Sequence, residues 1–270
     1  MKTNGTKKEP RIPIMETFGP TIQGEGLMAG TVTNFLRTGG CGLKCSWCDT
    51  MFAVDPKLIR KGRVMMTTAE ILDVFNKMPF APYITFTGGD PCLHKHLGDI
   101  IPAINIAGTR VAVETQGTEF PDWLGLADVI TFSPKPPSSG NVVDPMGIVE
   151  WINDNSAGNK RTFQVCIKIV VFNQDDLAYA LQVYNLIPPS YYDSFYFTGG
   201  TPVLKDMDLD DLKGNDKEQA IAAKLFGTLE GFRRLSHSIL GAGGEVTFNE
   251  KVHVGCQQHV LLWPDKDKGV

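Results

Sequence analysis

The amino-acid sequence predicts an α/β protein built on a parallel sheet that is either open or closed into a barrel. Six short runs rich in Val, Ile, Thr and Phe occur along the chain, and segments with helical periodicity separate several of them. Most of these runs are too apolar for a strand with one solvated face, which is typical of buried parallel strands. The predicted strands are 31–37, 83–86, 110–113, 128–132, 165–171 and 194–197.

Three predicted helices have recognisable features. Thr67 and Glu70 have the spacing of a capping box and precede a broad apolar face, so a helix is predicted from this point. Asn173 is predicted to be the N-cap of a second helix, since acidic residues follow it in the first turn. A long third helix, interrupted by glycine, is predicted over 216–240.

Two stretches interrupt the alternation of strands and helices. Segment 133–145 is rich in Pro, Ser and Gly, and segment 198–218 is acidic. Both are predicted to be surface loops within one domain, because strand and helix patterns continue on each side. The predicted organisation is a tail over 1–12 and a single domain over 13–270, with inserted loops near 136–160 and 203–218.

Two strand ends have similar sequences. Segments 84–93 and 195–204 both run from an apolar strand into Thr-Gly-Gly, then Pro and Leu. We interpret them as two similar exits from strands; the alternative is a pair of glycine turns that face one cofactor. In either case the glycines allow a close approach of the backbone.

Composition and charge narrow the class of protein. The chain has 270 residues, of which 42% are hydrophobic, so it can bury a sizeable core. A net charge of −4 argues against nucleic acid or anionic lipid as a partner. The basic N-terminus precedes no apolar run, and no stretch approaches the roughly 20 apolar residues of a membrane span. A cytoplasmic location is therefore expected.

Cys41, Cys45 and Cys48 lie within eight residues of one predicted loop. In a reducing compartment, clustered cysteines are metal ligands or redox groups before they are disulfides. Structural zinc would need a fourth ligand, for which the C-x-H-x-H run at 92–96 is the nearest source. A redox pair would use two of the three thiols, and coincidence remains an alternative. The other cysteines, Cys92, Cys166 and Cys256, are predicted to be small buried hydrophobes.

A further interpretation is a four-iron cluster held by the three thiolates, which leaves one iron open for a small molecule. The C-x3-C-x2-C spacing, with Trp47 before the third cysteine, resembles the cluster loop of the radical S-adenosylmethionine enzymes. The sequence TGGDP at 87–91 is similar to the glycine-rich strand end of these enzymes.

The resemblance narrows to the 7-carboxy-7-deazaguanine synthase family of the queuosine and deazapurine pathway. Five motifs occur in that family's order: TIQGEG (21–26), FLRTGGCGLKCSWCDT (35–50), ETQGT (114–118), SPK (133–135) and QQHVLLW (257–263). Departures from the pattern are Asp90 in place of the usual Glu, Gln258, and two segments that align only loosely, 136–160 and 203–250.

The fold that the resemblance implies is a partial, open (β/α)6-type barrel. The cluster loop would follow the first of about six parallel strands. The active site would then lie at the carboxyl ends of the strands, as in barrel enzymes generally. The implied cofactors are a [4Fe-4S] cluster on Cys41, Cys45 and Cys48, S-adenosylmethionine and Mg2+.

The resemblance also implies which residues bind S-adenosylmethionine. The glycines at 88–89 suit a backbone that must meet the cofactor without a side chain. Glu114 directly follows a predicted strand and Lys168 lies on one, where barrel sites gather functional groups, and each suits a structural ion pair equally well. The implied contacts are Trp47 near the adenine, Gly89 near the amino acid end, Ser133, Pro134, Lys135, Glu114 and Lys168.

The implied substrate is 6-carboxy-5,6,7,8-tetrahydropterin. Arg37 ends an apolar strand just before the cluster loop, and its planar guanidinium suits bidentate binding of the substrate carboxylate. The alternative for Arg37 is an ordinary surface salt bridge. The implied substrate contacts are Ile22, Gln23, Gly24, Arg37, Thr87, His259 and the terminal carboxylate of Val270. Among these, Arg37, Thr87 and His259 are the expected catalytic residues.

Thr50 matches the family position whose hydroxyl binds magnesium. Magnesium prefers oxygen ligands and keeps several waters, so the substrate would have to complete the site. Without the resemblance, Thr50 would be predicted to cap a loop.

The implied reaction is a radical ring contraction of the pterin to 7-carboxy-7-deazaguanine with loss of ammonia. An electron donor such as flavodoxin and a homodimer are the implied protein partners. Two alternatives remain at this point. One is another radical S-adenosylmethionine enzyme such as a glycyl-radical activase, and the other is a zinc-stabilised binding module without catalysis.

Overall fold

A computed structural model describes residues 9–141, 143–156, 161–201, 212–242 and 246–264 of the chain. The strands in this part of the chain are β1 (Ile12–Ile22), β2 (Val32–Thr38), β3 (Val64–Met66), β4 (Tyr83–Gly88), β5 (Arg110–Thr115), β6 (Val129–Phe132), β7 (Gln164–Val171), β8 (Ser194–Gly199) and β9 (Val252–Cys256). They form one sheet in the order β3-β1-β2-β4-β5-β6-β7-β8-β9, and the sheet does not close.

The parallel part of the sheet runs from β2 to β9, with β1 and β3 antiparallel at one edge. All six predicted strands are present, and the first of them, β2, directly precedes the cysteine loop. Strands β6 and β7 are buried along almost their whole length, as expected for parallel strands covered on both faces. The open α/β barrel that the sequence predicted is confirmed.

The helices are α1 (Pro56–Gly62), α2 (Thr68–Lys77), α3 (Ile101–Ile106), α4 (Met146–Ser156), α5 (Gln174–Leu186), α6 (Gly214–Ala242) and α7 (Gln258–Leu262). Thr67 and Glu70 form the predicted capping box of α2. The Asn173 side chain accepts a hydrogen bond from the Asp176 amide and caps α5 as predicted. None of these helices combines the length and apolar character that crossing a bilayer requires.

Three predictions about local structure were wrong. Helix α4 lies inside the predicted loop 136–160, because Ile148 and Ile152 provide an apolar face that buries against the sheet. Segment 133–141 is largely covered by neighbouring residues rather than lying on the surface. Helix α6 continues through its glycines without a break.

The predicted boundaries also need adjustment. Ile12 is the first residue of β1 and is only 3% exposed, so the sheet begins within the predicted tail. Most of the predicted loop 203–218 lies outside the described residues, and α6 begins at Gly214. Strands β1, β3 and β9 were not predicted; β3 and β9 form the two edges of the sheet, and β1 lies between β3 and β2.

Candidate active site

One cavity lies at the carboxyl ends of β2 and β4–β7 and is completed by the end of β1 and the start of α7. Among the predicted site residues that the structure describes, Pro134 is the exception and does not line it. Pro134 is buried next to the lining residues, and Val270 lies outside the described residues. The other predicted residues line this cavity: Ile22, Gln23, Gly24, Arg37, Cys41, Cys45, Trp47, Cys48, Thr50, Thr87, Gly89, Glu114, Ser133, Lys135, Lys168 and His259.

The three cysteines of the loop lie on one side of this cavity. Burial raises the pKa of each thiol, and the positive charge of the neighbouring Lys135 partly opposes the rise in all three. Thiolates at these positions therefore need further positive charge, which bound iron supplies. In the described part of the chain, no three His, Cys, Asp or Glu side chains converge on a single ion. In an iron-sulfur cluster each thiolate binds a different iron atom, so three cluster ligands need not converge on one ion; three thiols on one loop at the cavity are the donor set that such a cluster uses.

The Gly88–Gly89 turn packs directly against the cysteine loop. Gly88 has a positive φ of 134°, and a Cβ on Gly89 would lie 2.0 Å from the Gly40 carbonyl oxygen. The Asp90 amide donates to the same Gly40 oxygen at 2.7 Å. The glycines at 88–89 were predicted to let the backbone meet a cofactor. In addition, the backbone of Thr38 leaves no room for a Cβ on Gly88, and the backbone of Gly40 leaves none for a Cβ on Gly89.

Asp90 anchors this turn to the neighbouring strand. It is fully buried, and its two carboxylate oxygens accept the Thr115 hydroxyl at 2.9 and 3.1 Å. The Cys92 amide donates to the same carboxylate at 3.0 Å. Burial raises the pKa of Asp90, although these hydrogen bonds oppose the rise. Asp90, whose side chain is shorter than that of the Glu usual at this position, thus connects the turn to β5.

Segment 133–141 carries several of the predicted S-adenosylmethionine contacts. The Lys135 ammonium donates to the Ser133 hydroxyl at 3.1 Å and lies 5.9 Å from the Trp47 ring centroid. The Trp47 indole N–H donates to the Ser138 hydroxyl at 2.9 Å. Phe172 packs against Trp47 with ring centroids 5.1 Å apart. The Trp47 indole thus has both a cation and an aromatic ring as neighbours, and its N–H is held by Ser138.

Glu114 joins two of the predicted substrate contacts. One carboxylate oxygen accepts the Gln23 amide at 3.0 Å, and the other accepts the Thr87 hydroxyl at 3.0 Å. The ends of β1, β4 and β5 are thereby connected by buried or half-buried polar groups. The prediction that Glu114 belongs to a strand-end polar site agrees with this placement.

Lys168 forms a buried ion pair with Glu25, a residue that the sequence analysis did not assign. Burial alone would raise the pKa of Glu25, but Lys168 and His259 hold it at about 2. Burial alone would lower the pKa of Lys168, but Glu25 and Glu114 raise it. In the sequence, Glu25 stood out only through its place in the QGEG motif. No sequence pattern indicates with which distant cation an acidic residue will form an ion pair.

The predicted residues of β1 and α7 meet through a backbone contact. The Gln258 amide donates to the Gly24 carbonyl at 2.9 Å. A Cβ on Gly24 would lie 2.3 Å from His259 Nδ1, so only glycine permits this approach. The contact brings His259 to the cavity although more than 200 residues of sequence separate it from Gly24.

Arg37 lines the cavity and also pairs with a carboxylate. Its Nε donates to Glu16 Oε1 at 2.6 Å, and both side chains are largely buried. The guanidinium lies over the Phe18 ring at 5.7 Å. The ion pair is therefore held within the wall of the cavity and differs from the exposed salt bridge considered as the alternative.

Thr50 lies next to the third cysteine. Its hydroxyl is 3.7 Å from Cys48 Sγ and makes no side-chain capping bond to the 3-10 turn Met51–Ala53. Thr50 therefore precedes the turn as a cap residue would, but its hydroxyl does not cap the turn.

The ligands considered for zinc have other partners. Cys92 is buried and close to Asp90, and His94 Nε2 lies 3.1 Å from the Gly39 carbonyl oxygen. His96 is paired with Asp99 at 3.1 Å on the surface. Cys92 and Cys166 are buried as predicted, whereas Cys256 is half-buried.

Comparisons with known proteins define the class. The sequence profile of the Radical SAM superfamily matches residues 35–128. QueE from Escherichia coli has a related fold, with a TM-score of 0.54 and 21% identity, over 70% of this chain and 84% of that one. SuiB from Streptococcus suis, solved with S-adenosylmethionine, matches with a TM-score of 0.50 and 14% identity, over 80% of this chain and 48% of that one. The fold, the cysteine loop and the profile together define a radical S-adenosylmethionine enzyme.

Two relatives identify the family. The 7-carboxy-7-deazaguanine synthase of Bacillus subtilis is 35% identical over 263 residues, which cover 94% of this chain and 97% of the relative. The 7-carboxy-7-deazaguanine synthase of Bacillus cereus is 37% identical over 183 residues, or 66% and 73% of the two chains. The chain belongs to the 7-carboxy-7-deazaguanine synthase family, whose members are lyases. The family implies S-adenosylmethionine and a [4Fe-4S] cluster, and the two alternative functions are not favoured.

Proposed function

We propose that this cavity converts 6-carboxy-5,6,7,8-tetrahydropterin into 7-carboxy-7-deazaguanine with loss of ammonia. The observation that carries the proposal is the meeting of two residue sets in one cavity. One set is the cysteine loop with the SPK segment, and the other is the polar group around Arg37, Gln23 and His259. Radical chemistry needs a cofactor and a substrate in contact, and one shared cavity provides that arrangement.

The cofactor side of the cavity comprises the cysteine loop and the segments packed on it. Cys41, Cys45 and Cys48 would ligate the cluster, which together with S-adenosylmethionine supplies a 5'-deoxyadenosyl radical. Trp47 would pack on the adenine, since Ser138 and Phe172 already hold its ring in place. Gly89 exposes backbone groups to the cavity. The remaining contacts proposed for S-adenosylmethionine are Ser133, Pro134, Lys135, Glu114 and Lys168.

On the substrate side, Arg37 provides a guanidinium for the carboxylate of the pterin. Arg37 would bind the substrate carboxylate, because Glu16 holds its Nε and thereby fixes the plane of the guanidinium. The proposed pterin contacts are the backbone of Ile22, Gln23 and Gly24 and the side chains of Thr87 and His259. The contact between Gly24 and His259 supports this assignment, since it places both at one end of the cavity.

Magnesium is proposed to bind the Thr50 hydroxyl together with substrate oxygens. The Thr50 hydroxyl makes no capping bond to the following turn and lies beside Cys48 at the cavity wall, which supports the proposal. A cation here would orient the substrate and stabilise developing negative charge.

The remaining proposals concern the chain end and the partners. The Val270 carboxylate is proposed to bind the donor edge of the pterin, and a C-terminal extension should then raise the substrate KM. A homodimer is supported by exposed apolar side chains on α6, namely Phe226, Leu229 and Leu240. An acidic electron donor such as flavodoxin is supported by exposed cations on α1 after the cysteine loop. Six free cysteines support a reducing, cytoplasmic location.

An anaerobic assay tests the proposed function. Reconstituted protein is incubated with dithionite, S-adenosylmethionine, magnesium and the carboxytetrahydropterin, and products are followed by mass spectrometry. Both 5'-deoxyadenosine and 7-carboxy-7-deazaguanine are expected. Deoxyadenosine alone would contradict the substrate, and neither product from protein with a full cluster would contradict the whole proposal. In the same assay, Thr50→Ala should shift the magnesium dependence while the cluster spectrum stays unchanged.

A further inference from the structure

A side-chain amide contacts one of the cysteine sulfurs from outside the cysteine loop. Asn141 Nδ2 lies 3.5 Å from Cys45 Sγ, within hydrogen-bond distance for a sulfur acceptor. The same NH2 group also lies 3.2 Å from the Ser139 carbonyl oxygen. An amide NH2 carries two hydrogens, so it can donate to the sulfur and to the carbonyl together.

The position of Asn141 is fixed by buried neighbours. Its backbone amide donates to the hydroxyl of Ser139, which is fully buried. The preceding Ser138 amide donates to the buried carboxylate of Asp176 at 2.9 Å. The Ser46 amide of the cysteine loop donates to the Ser139 carbonyl at 2.9 Å, which joins the two loops directly. The hydrogen bonds of segment 138–141 therefore hold Asn141 in a position where its side-chain amide contacts Cys45.

A second amide lies beside Cys41. Gln116 Oε1 is 3.3 Å from Cys41 Sγ, and Gln116 Nε2 is 3.0 Å from the Thr118 hydroxyl. A thiolate bound to iron has no proton to donate, so only the NH2 group of Gln116 can then bond to this sulfur. The Gln116 oxygen would accept from the Thr118 hydroxyl after the amide turns over, since a hydroxyl can donate or accept.

We propose that Asn141 and Gln116 are positioning residues that donate N–H bonds to the Cys45 and Cys41 thiolates and raise the reduction potential of the cluster. Reduction adds one electron, whose negative charge is shared by the sulfur ligands. Hydrogen-bond donors to those sulfurs stabilise the reduced state and so favour electron uptake. The inference rests on the proposed function only in that the cysteines hold a cluster.

The test is a redox titration of reconstituted holoprotein without S-adenosylmethionine, followed by electron paramagnetic resonance. Asn141→Leu removes the donor at similar volume and should weaken one-electron reduction about tenfold, a change of about 59 mV toward more negative potential. Gln116→Leu should act in the same direction. Asn155→Leu, the same substitution on the exposed face of α4, is the matched control and should leave the potential unchanged. An unchanged potential in both Asn141→Leu and Gln116→Leu overturns the proposal.

If the variants bind too little cluster for a titration, a measurement on the protein of unmodified sequence tests the proposal instead. Protein labelled with 15N in asparagine side chains is reduced, and pulsed resonance detects nitrogen coupled to the cluster. Coupling to an asparagine amide is expected, and its absence overturns the proposal. Protein that binds no iron at all would contradict the proposed function, whereas a full cluster with unshifted potential contradicts only this inference.

Discussion

The two Thr-Gly-Gly turns have almost the same sequence but contact different parts of the molecule. The turn after β4, Thr87–Gly89, packs on the cysteine loop and lines the cavity. The turn after β8, Thr198–Gly200, packs on α6, where a Cβ on Gly199 would lie 2.9 Å from the Phe232 amide nitrogen. A Thr-Gly-Gly turn therefore contributes to the site only where the segment packed against it contains functional residues.

The two threonines show the same difference at the level of one hydroxyl. Thr87 donates to Glu114 at 3.0 Å and joins the polar group of the cavity. The Thr198 hydroxyl is buried and has no hydrogen-bond partner among the residues described. Of the two interpretations of the repeated motif, two similar strand exits agrees with the structure, and two turns facing one cofactor does not.

Gly89→Ala should have the largest effect. The added methyl would lie 2.0 Å from the Gly40 oxygen and 2.8 Å from the Ala53 oxygen, and both are backbone atoms that cannot move independently. The cysteine loop would shift, and displacement of about 1 Å can cost about a hundredfold in rate. We expect lost iron content and at least about a hundredfold lower turnover, measured by iron analysis and product formation. Normal iron and turnover would contradict the contact.

Lys168→Met should destabilise the protein by about 3–5 kcal/mol, because it leaves Glu25 buried without its cation. Denaturant unfolding measures the loss. The double variant Glu25→Gln, Lys168→Met is the control and should recover part of the stability. A single variant as stable as the unmodified sequence would show that the pair contributes nothing.

The same ion pair predicts a dependence of stability on pH. The folded-state pKa of Glu25 is about 2, below its ordinary value of 4.5. The stabilisation is thus present above pH 4.5 and is lost as the pH falls from 4.5 toward 2. The difference in unfolding free energy between the unmodified protein and Glu25→Gln should shrink over this range. A difference independent of pH would contradict the assignment.

Gly199→Ala should affect stability without affecting the cluster. Its methyl would approach the Phe232 nitrogen at 2.9 Å and Cα at 3.0 Å, so α6 must move slightly. Overpacking of this kind costs about 1–3 kcal/mol. Denaturant unfolding should show the loss while iron content stays normal. A loss of iron equal to that of Gly89→Ala would remove the distinction between the two turns.

Thr198→Val should have the smallest effect. Replacing a buried hydroxyl that has no partner in the described structure by a methyl is expected to be neutral or to stabilise by up to about 1 kcal/mol. Thr87→Val is the matched substitution and should lower turnover, since Glu114 loses a donor. Equal effects of the two substitutions on turnover would argue against separate roles.

Local signals predicted much of the fold. The apolar runs predicted the parallel strands β2 and β4–β8, and the Thr67 and Asn173 caps predicted the starts of α2 and α5. Strand β1 and helix α4 were missed, because the pairing of β1 with β2 and β3 and the packing of α4 against the sheet depend on long-range contacts that local periodicity does not contain. The motifs also predicted most of the cavity lining.

Long-range partners could not be predicted in the same way. Glu25 meets Lys168 across 143 positions, and Asn141 meets Cys45 across 96. Neither pair has a sequence pattern, because the sheet order decides which strand ends become neighbours. The packing of Gly89 against the cysteine loop could not be predicted either, since the path of that backbone is known only from the folded structure.

The most direct test of the shared cavity is transfer of hydrogen between its two sides. Carboxytetrahydropterin carrying deuterium at C6 is turned over by the reconstituted protein, and 5'-deoxyadenosine is analysed by mass spectrometry. We expect one deuterium in the deoxyadenosine that accompanies 7-carboxy-7-deazaguanine. Deoxyadenosine without deuterium, formed together with that product, would contradict direct contact between cofactor and substrate in this cavity.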